Sequence, residues 1–216
     1  MSAKPPRRPT PAAPRRRPRQ SRAHHTARAL REAFVRLWAE RAYADITIRE
    51  IVAVAGTGLG SFYEYYAGKD DLARVCLHLR SKELLLALRA AVAAHAGQPL
   101  ERIVAAAVAS QVEAHRAAPR EWGEHYVLER HLSAPEAYRK MYERFVNEWA
   151  AALEAASDLP AACPVREAAR VSQTVMYGLF AHTYIGTGGR PDVQALARQA
   201  CTAIVAYVRA AAAPQR

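Results

Sequence analysis

Eight residues between positions 47 and 65 have types and spacing that suit one kind of chemistry: Thr47, Arg49, Thr57, Gly58, Gly60, Ser61, Tyr63 and Tyr65. Hydroxyl and phenol groups can donate to phosphate oxygens. A guanidinium can grip the O6 and N7 acceptors of guanine in the major groove. The chemistry indicated is recognition of double-stranded DNA. Thr47, Tyr63 and Tyr65 are the expected phosphate donors, and Arg49 is the expected base reader. Gly58, Gly60 and Ser61 carry almost no side chain, so backbone and thymine methyls can approach closely. Sequence choice then leans on Arg49, Thr57, Ser61 and DNA shape. Each residue has a plainer reading beside this one. Thr47 could serve only as a helix cap, Arg49 could pair with Asp45, and the tyrosines could simply pack.

The elements that position these residues are legible from apolar spacing. Ile48, Ile51 and Val52 fall on one helical face, and Leu59, Phe62 and Tyr66 on another, with a tight turn at Gly56 between them. Thr47 with Glu50 three residues on is a capping box for the first of these helices. Two helices this short need a longer partner. Ala29, Leu30, Ala33, Phe34, Leu37 and Trp38 supply one, on a helix predicted from about 22 to 41. The arrangement is a helix-turn-helix, which lays its second helix in the major groove. Leu59, Phe62 and Tyr66 are expected in its core, and Glu64 is expected to pair with an arginine of the long helix, with acceptance from cytosine N4 as the alternative. Glycines inside a helix cost roughly 0.8 to 1 kcal/mol each relative to alanine. The second helix, predicted over 58 to 66, is therefore expected to be marginal until DNA orders it.

The remaining pattern predicts six longer helices: about 69–94, from Pro99, 119–132, 135–156, 165–185 and 192–210. The fold class is all-α, with about nine helices. Three regions are expected: an Arg- and Pro-rich arm over 1–21, a helix-turn-helix domain over 22–68, and a helical domain over 69–216. The chain of 216 residues carries a net charge of +11. Residues 1–22 hold eight Lys and Arg and no acid, so the basicity is concentrated in the arm. Extended, the arm reaches roughly 60 to 70 Å, far enough to touch DNA flanking a site. No stretch has the length or character of a membrane span or signal peptide, which points to a cytoplasmic protein. Three widely spaced cysteines make neither a disulfide framework nor a zinc pattern. His125 and His131 have the wrong spacing for a helical metal pair and are expected to be solvated or hydrogen-bonded. No phosphate loop, nucleophile elbow or metal cluster suggests an enzyme, and no cofactor is implied.

Thr47, Ile51, Ala55, Gly56, Phe62, Tyr63, Tyr66, Lys69 and Leu72 stand in a pattern that resembles the TetR family of bacterial transcriptional regulators. The departures are Val52 for the usual Ala, Tyr66 for Phe, Thr57-Gly58 for Val-Ser, and Ala42 for Gly. The resemblance implies a phosphate contact for Lys69. It also implies a homodimer on a palindromic operator and, most often, a repressor released by a small molecule. Helices 165–185 and 192–210 would then form a four-helix bundle across the dimer, along Val171, Val175, Leu179 and His182 and along Ala197, Cys201, Ile204 and Val208. An effector pocket would lie among the middle helices, with Trp122, Tyr126, Tyr138, Tyr142, Trp149 and Tyr177 as lining candidates. A fainter similarity to regulators of fatty acid synthesis suggests an apolar or acyl ligand. The rival reading is an effector-independent DNA-coating protein dominated by its basic arm.

Overall fold

The computed structural model describes residues 21–188 and 190–213. The expected arm lies outside the described residues except for Ser21, which begins the first helix. Among the described residues there are nine α-helices, one 3-10 turn at Tyr43–Asp45, and no strand. The head comprises α1 (Ser21–Glu40), α2 (Ile48–Val54) and α3 (Leu59–Tyr65). Behind it come α4 (Lys69–Ala94), α5 (Leu100–Ala117), α6 (Pro119–Leu132), α7 (Pro135–Glu154), α8 (Val165–Gly186) and α9 (Val193–Ala211).

The head folds around Leu30, Phe34, Trp38, Ile46, Ile51, Phe62 and Leu72, all almost wholly buried. Burying a side chain of this size contributes roughly 1.5 to 3 kcal/mol, which two seven-residue helices need in order to persist. The capping box forms as the sequence indicates: the Glu50 N–H donates to Thr47 Oγ1, and the Thr47 N–H donates to Glu50 Oε2. At the other end of α2, Gly56 adopts φ +64°. The Gly56 N–H then reaches the Ala53 carbonyl, and the Thr57 N–H reaches back to the Val52 carbonyl. This pair of bonds closes a helix by a left-handed residue, a conformation that glycine adopts without strain. It sets the angle at which α3 leaves α2.

Leu59 corrects the sequence reading. It is 42% exposed and outside the core that Phe62 and Tyr66 occupy. Gly58 also differs from expectation. It is the N-cap of α3 rather than an interior residue, and glycine is tolerated at an N-cap. Only Gly60 therefore carries the interior penalty.

The rest of the chain packs around a second core that includes Leu88, Leu100, Ile103, Val146, Trp149, Ala181, Tyr184 and Ile204. Helix α4 belongs to both cores. Leu72, Ala73, Cys76 and Leu77 sit in the head, and Leu84, Leu85, Leu88 and Val92 sit in the second core. Helix α6 reaches the head as well, through Leu128 and Leu132. Of the two stripes expected at a dimer interface, Ile204 and Val208 are fully buried inside the protomer, so they cannot face a partner. Val171, Val175, Leu179, Ala197 and Cys201 are half-buried and His182 is exposed.

Candidate nucleic-acid interface and core cavity

Arg49 lies in the first turn of α2 and is exposed, with no hydrogen bond or ion pair among the described residues; the pairing with Asp45 does not form. Thr47 is exposed, but its hydroxyl donates to Glu50 Oε2 at 2.7 Å. Arg41 Nη1 donates to the other oxygen of Glu50 at 2.8 Å. Held first by Arg41 and then by Thr47, the Glu50 carboxyl falls to about 2. Tyr63 is 46% exposed, its ring edge-on to Phe62 at 5.4 Å. Tyr65 is half-buried against the head core, and Ser61 is half-buried. Gly58 and Gly60 are exposed, with nothing within 4 Å of where a Cβ would stand. Tyr66 is buried and donates its hydroxyl to the Ala27 carbonyl at 3.1 Å. Glu64 makes no ion pair with α1 among the described residues; it is exposed.

Two expected contacts are turned inward. The Thr57 hydroxyl oxygen is buried and has no hydrogen-bond partner among the described residues, so it does not project toward a base edge. The Lys69 ammonium donates to the carbonyls of Tyr43 at 2.8 Å, Ala44 at 3.4 Å and Ile46 at 2.7 Å. It also lies 4.3 Å from the centre of the Tyr43 ring. An ammonium has three protons, and three carbonyls take them. Lys69 thus ties the start of α4 to the turn between α1 and α2, and its ammonium is not free for the expected phosphate.

A cavity of about 50 Å³ opens between α4, α5, α6, α7 and α8. Trp122, Tyr126, Trp149 and Tyr177 line it, as expected from their positions, together with polar groups that sequence reasoning missed: Gln111, His115, His125, Glu129 and Gln173. Tyr138 lines two adjoining clefts, of about 160 and 390 Å³, and Glu129 borders all three spaces. Tyr142 borders none of them; its hydroxyl meets Thr174 Oγ1 at 2.8 Å on the surface. The missed residues left one visible trace. The apolar stripe of α5 runs through Leu100, Val104, Val108 and Gln111, and His115 continues it four residues later.

The polar lining is organised around His115. Its Nδ1 lies 2.6 Å from the Gln111 carbonyl, so that nitrogen must carry the proton. Nε2 then accepts from the Tyr126 hydroxyl at 2.7 Å. The ring stacks on Trp122 at 4.0 Å. Burial holds the imidazole neutral and lowers its pKa to about 4. His125 is fully enclosed rather than solvated, its Nδ1 has no partner among the described residues, and burial lowers its pKa strongly. Burial pushes the Glu129 carboxyl up, opposed in part by the hydroxyl of Tyr177 donating to Glu129 Oε2 at 2.9 Å. Arg80 of α4 stands between the two cores. Its guanidinium lies 5.5 Å from the Trp38 ring of the head and 5.0 Å from the Trp122 ring of the cavity wall, and it pairs with Glu121.

The sequence model described as "Bacterial regulatory proteins, tetR family" matches residues 30–76. Over residues 30–76 the chain is thus similar to the TetR family. The match covers the head and the first part of α4, where Arg49, Ser61 and Tyr63 stand exposed or half-exposed on a helix-turn-helix. Solved structures extend the fold likeness over 82–88% of the chain. A transcriptional regulator from Cytophaga hutchinsonii ATCC 33406 superposes with a TM-score of 0.68 at 13% identity, covering 88% of this chain and 98% of that one. Regulatory protein TetR from Rhodobacter sphaeroides gives 0.63 at 19%, with 84% and 98% covered. FadR from Bacillus subtilis, solved with stearoyl-CoA, gives 0.62 at 14%, with 82% and 97% covered. No curated protein matches the chain. Beyond residues 30–76 the likeness to these regulators is one of fold. Among the described residues no helix is long and apolar enough to cross a membrane, and no metal-binding cluster is found.

Proposed function

We propose that the protein binds a palindromic operator as a homodimer in the cytoplasm and represses transcription until a small molecule enters its core cavity. The observation that carries this reading is the double membership of α4. Its first turns build the head core and its middle builds the cavity wall. A ligand that moves α4 therefore moves the reading helix. Two such helices must sit about one DNA turn apart, roughly 34 to 36 Å, so a modest displacement removes one of them from its groove. Arg80, packed between Trp38 and Trp122, couples the same two regions.

The cavity in its present form, about 50 Å³, has room for only a few water molecules, and drug-sized ligands occupy pockets of roughly 300 Å³ and above. Entry therefore requires the cavity to merge with the adjoining clefts, and Glu129 and Tyr177 form the shared wall. The unpartnered His125 Nδ1 and the amide of Gln173 favour a ligand with hydrogen-bonding groups over a bare acyl chain. Non-catalytic regulation needs nothing further from this chain. The arm's contribution is phosphate contact beside the operator.

Trp122 and Trp149 stand in the cavity wall, so tryptophan emission reports its filling. A compound that changes this emission is expected to weaken operator binding at saturation, because only differential affinity for the two states can shift the equilibrium. Cavity-binding compounds that all leave operator affinity unchanged would contradict effector release.

A further inference from the structure

We infer that Leu59 is a specificity-determining residue that reads thymine by its C5-methyl group. The inference rests on the DNA-binding reading above and adds the base it selects. An exposed leucine is ordinary by itself. Its place makes the difference here. Leu59 is the first residue of α3, the helix whose N-terminal residues meet base edges in a helix-turn-helix. It is 42% exposed, although its spacing with Phe62 would suit a core position. Gly58 before it and Gly60 after it have no Cβ and open space beside them. Leu59 is therefore the one side chain that projects at the tip of the helix.

The other exposed positions of α3 narrow the choice of base further. Tyr63, four residues on, shares its face and is 46% exposed. Glu64 is exposed and can only accept, Phe62 is buried, and Thr57 is turned inward. No arginine, lysine, asparagine or glutamine stands on α3 to form a bidentate contact with guanine or adenine. A leucine at this site needs an apolar target, and the major groove offers one, the thymine methyl. Guanine or cytosine opposite Leu59 would lose hydrogen-bonded water without replacement.

The test uses the full chain and the duplex it enriches from a random pool. Each thymine of the half-site is replaced in turn by deoxyuridine, which deletes the methyl and keeps every hydrogen-bonding group. Burial of one methyl is worth about 0.8 kcal/mol. One thymine position is thus expected to lose about fourfold in affinity when substituted in one half-site and about fifteenfold when substituted in both. Leu59→Ala, at an exposed position, is expected to keep the unfolding midpoint and to bind thymine and deoxyuridine duplexes within about twofold of each other. Equal binding of all substituted duplexes by the unaltered protein would overturn the inference while leaving the regulator reading intact. A methyl dependence that persists in Leu59→Ala would overturn the assignment to Leu59. Failure to enrich any duplex would remove the reading on which the inference stands.

Discussion

Between pH 6.5 and pH 4 the folded protein is expected to lose about 3 kcal/mol of stability through His115. The imidazole is buried, stacked on Trp122 and bonded through both nitrogens, and its pKa is held at about 4 against an ordinary 6.5. The unfolded chain takes up a proton near pH 6.5 and the folded chain does not. The unfolded state therefore binds more protons throughout this window, and stability falls as pH falls. His125 acts in the same direction, since burial lowers its pKa also. Glu129 acts in the opposite direction, because its raised pKa makes the folded chain the better proton acceptor. Glu50, Glu101 and Asp158 have lowered values, so their contribution is lost as pH falls from the ordinary carboxylate value toward their own, and it adds to the loss at the acid end of this window. Denaturant unfolding at half-unit pH steps reads the slope. His115→Asn is expected to be less stable at pH 7, since it loses the Trp122 stack and the Tyr126 bond, and flatter toward acid. A flat profile for the unaltered protein between pH 6.5 and 4.5 would contradict the neutral, buried His115.

Replacing Lys69 by Met is expected to cost about 2 to 3 kcal/mol of head stability and to leave the salt dependence of DNA binding unchanged. The substitution keeps an apolar stem and removes the ammonium that the carbonyls of Tyr43, Ala44 and Ile46 share. Hydrogen bonds to charged groups contribute about 1.5 to 3 kcal/mol, and the partly buried Ile46 carbonyl left unpaired adds a desolvation cost, whereas the Tyr43 carbonyl keeps the Ile46 N–H. A phosphate contact would behave differently: each one lost lowers the log–log salt slope by about 0.9. Deleting residues 1–20, which remove seven positive charges, is the change expected to flatten the slope. A Lys69→Met protein of unaltered stability with a flattened slope would return Lys69 to the phosphate role.

Helix number and helix ends were legible because apolar spacing, Gly56, Pro99, Pro119, Pro135 and the Thr47–Glu50 box are local signals, and local signals decide where helices stop. The direction a side chain takes at a helix end is not local. Leu59 has core spacing, but it begins α3 before that helix reaches the core, so it faces outward. Lys69 sits beside free N–H groups in sequence, but the three carbonyls it binds come from 23 to 26 residues earlier. The aromatic lining of the cavity could be guessed residue by residue, and Tyr142 shows the limit of that approach. The polar lining could not be guessed, because Gln111, His125, Glu129 and Gln173 lie on three helices whose facing sides are set by tertiary packing. Ile204 and Val208 show the same limit at the dimer stripe: periodicity shows that a face is apolar and leaves open whether it meets the same chain or a second copy.

The central claim is tested most directly by letting the purified full chain select duplexes from a random pool at near-physiological salt. The account predicts an enriched inverted repeat with half-sites about one DNA turn apart and thymine at the position that meets α3. Tight binding with no enriched sequence would contradict it and leave a DNA-coating protein governed by its basic arm.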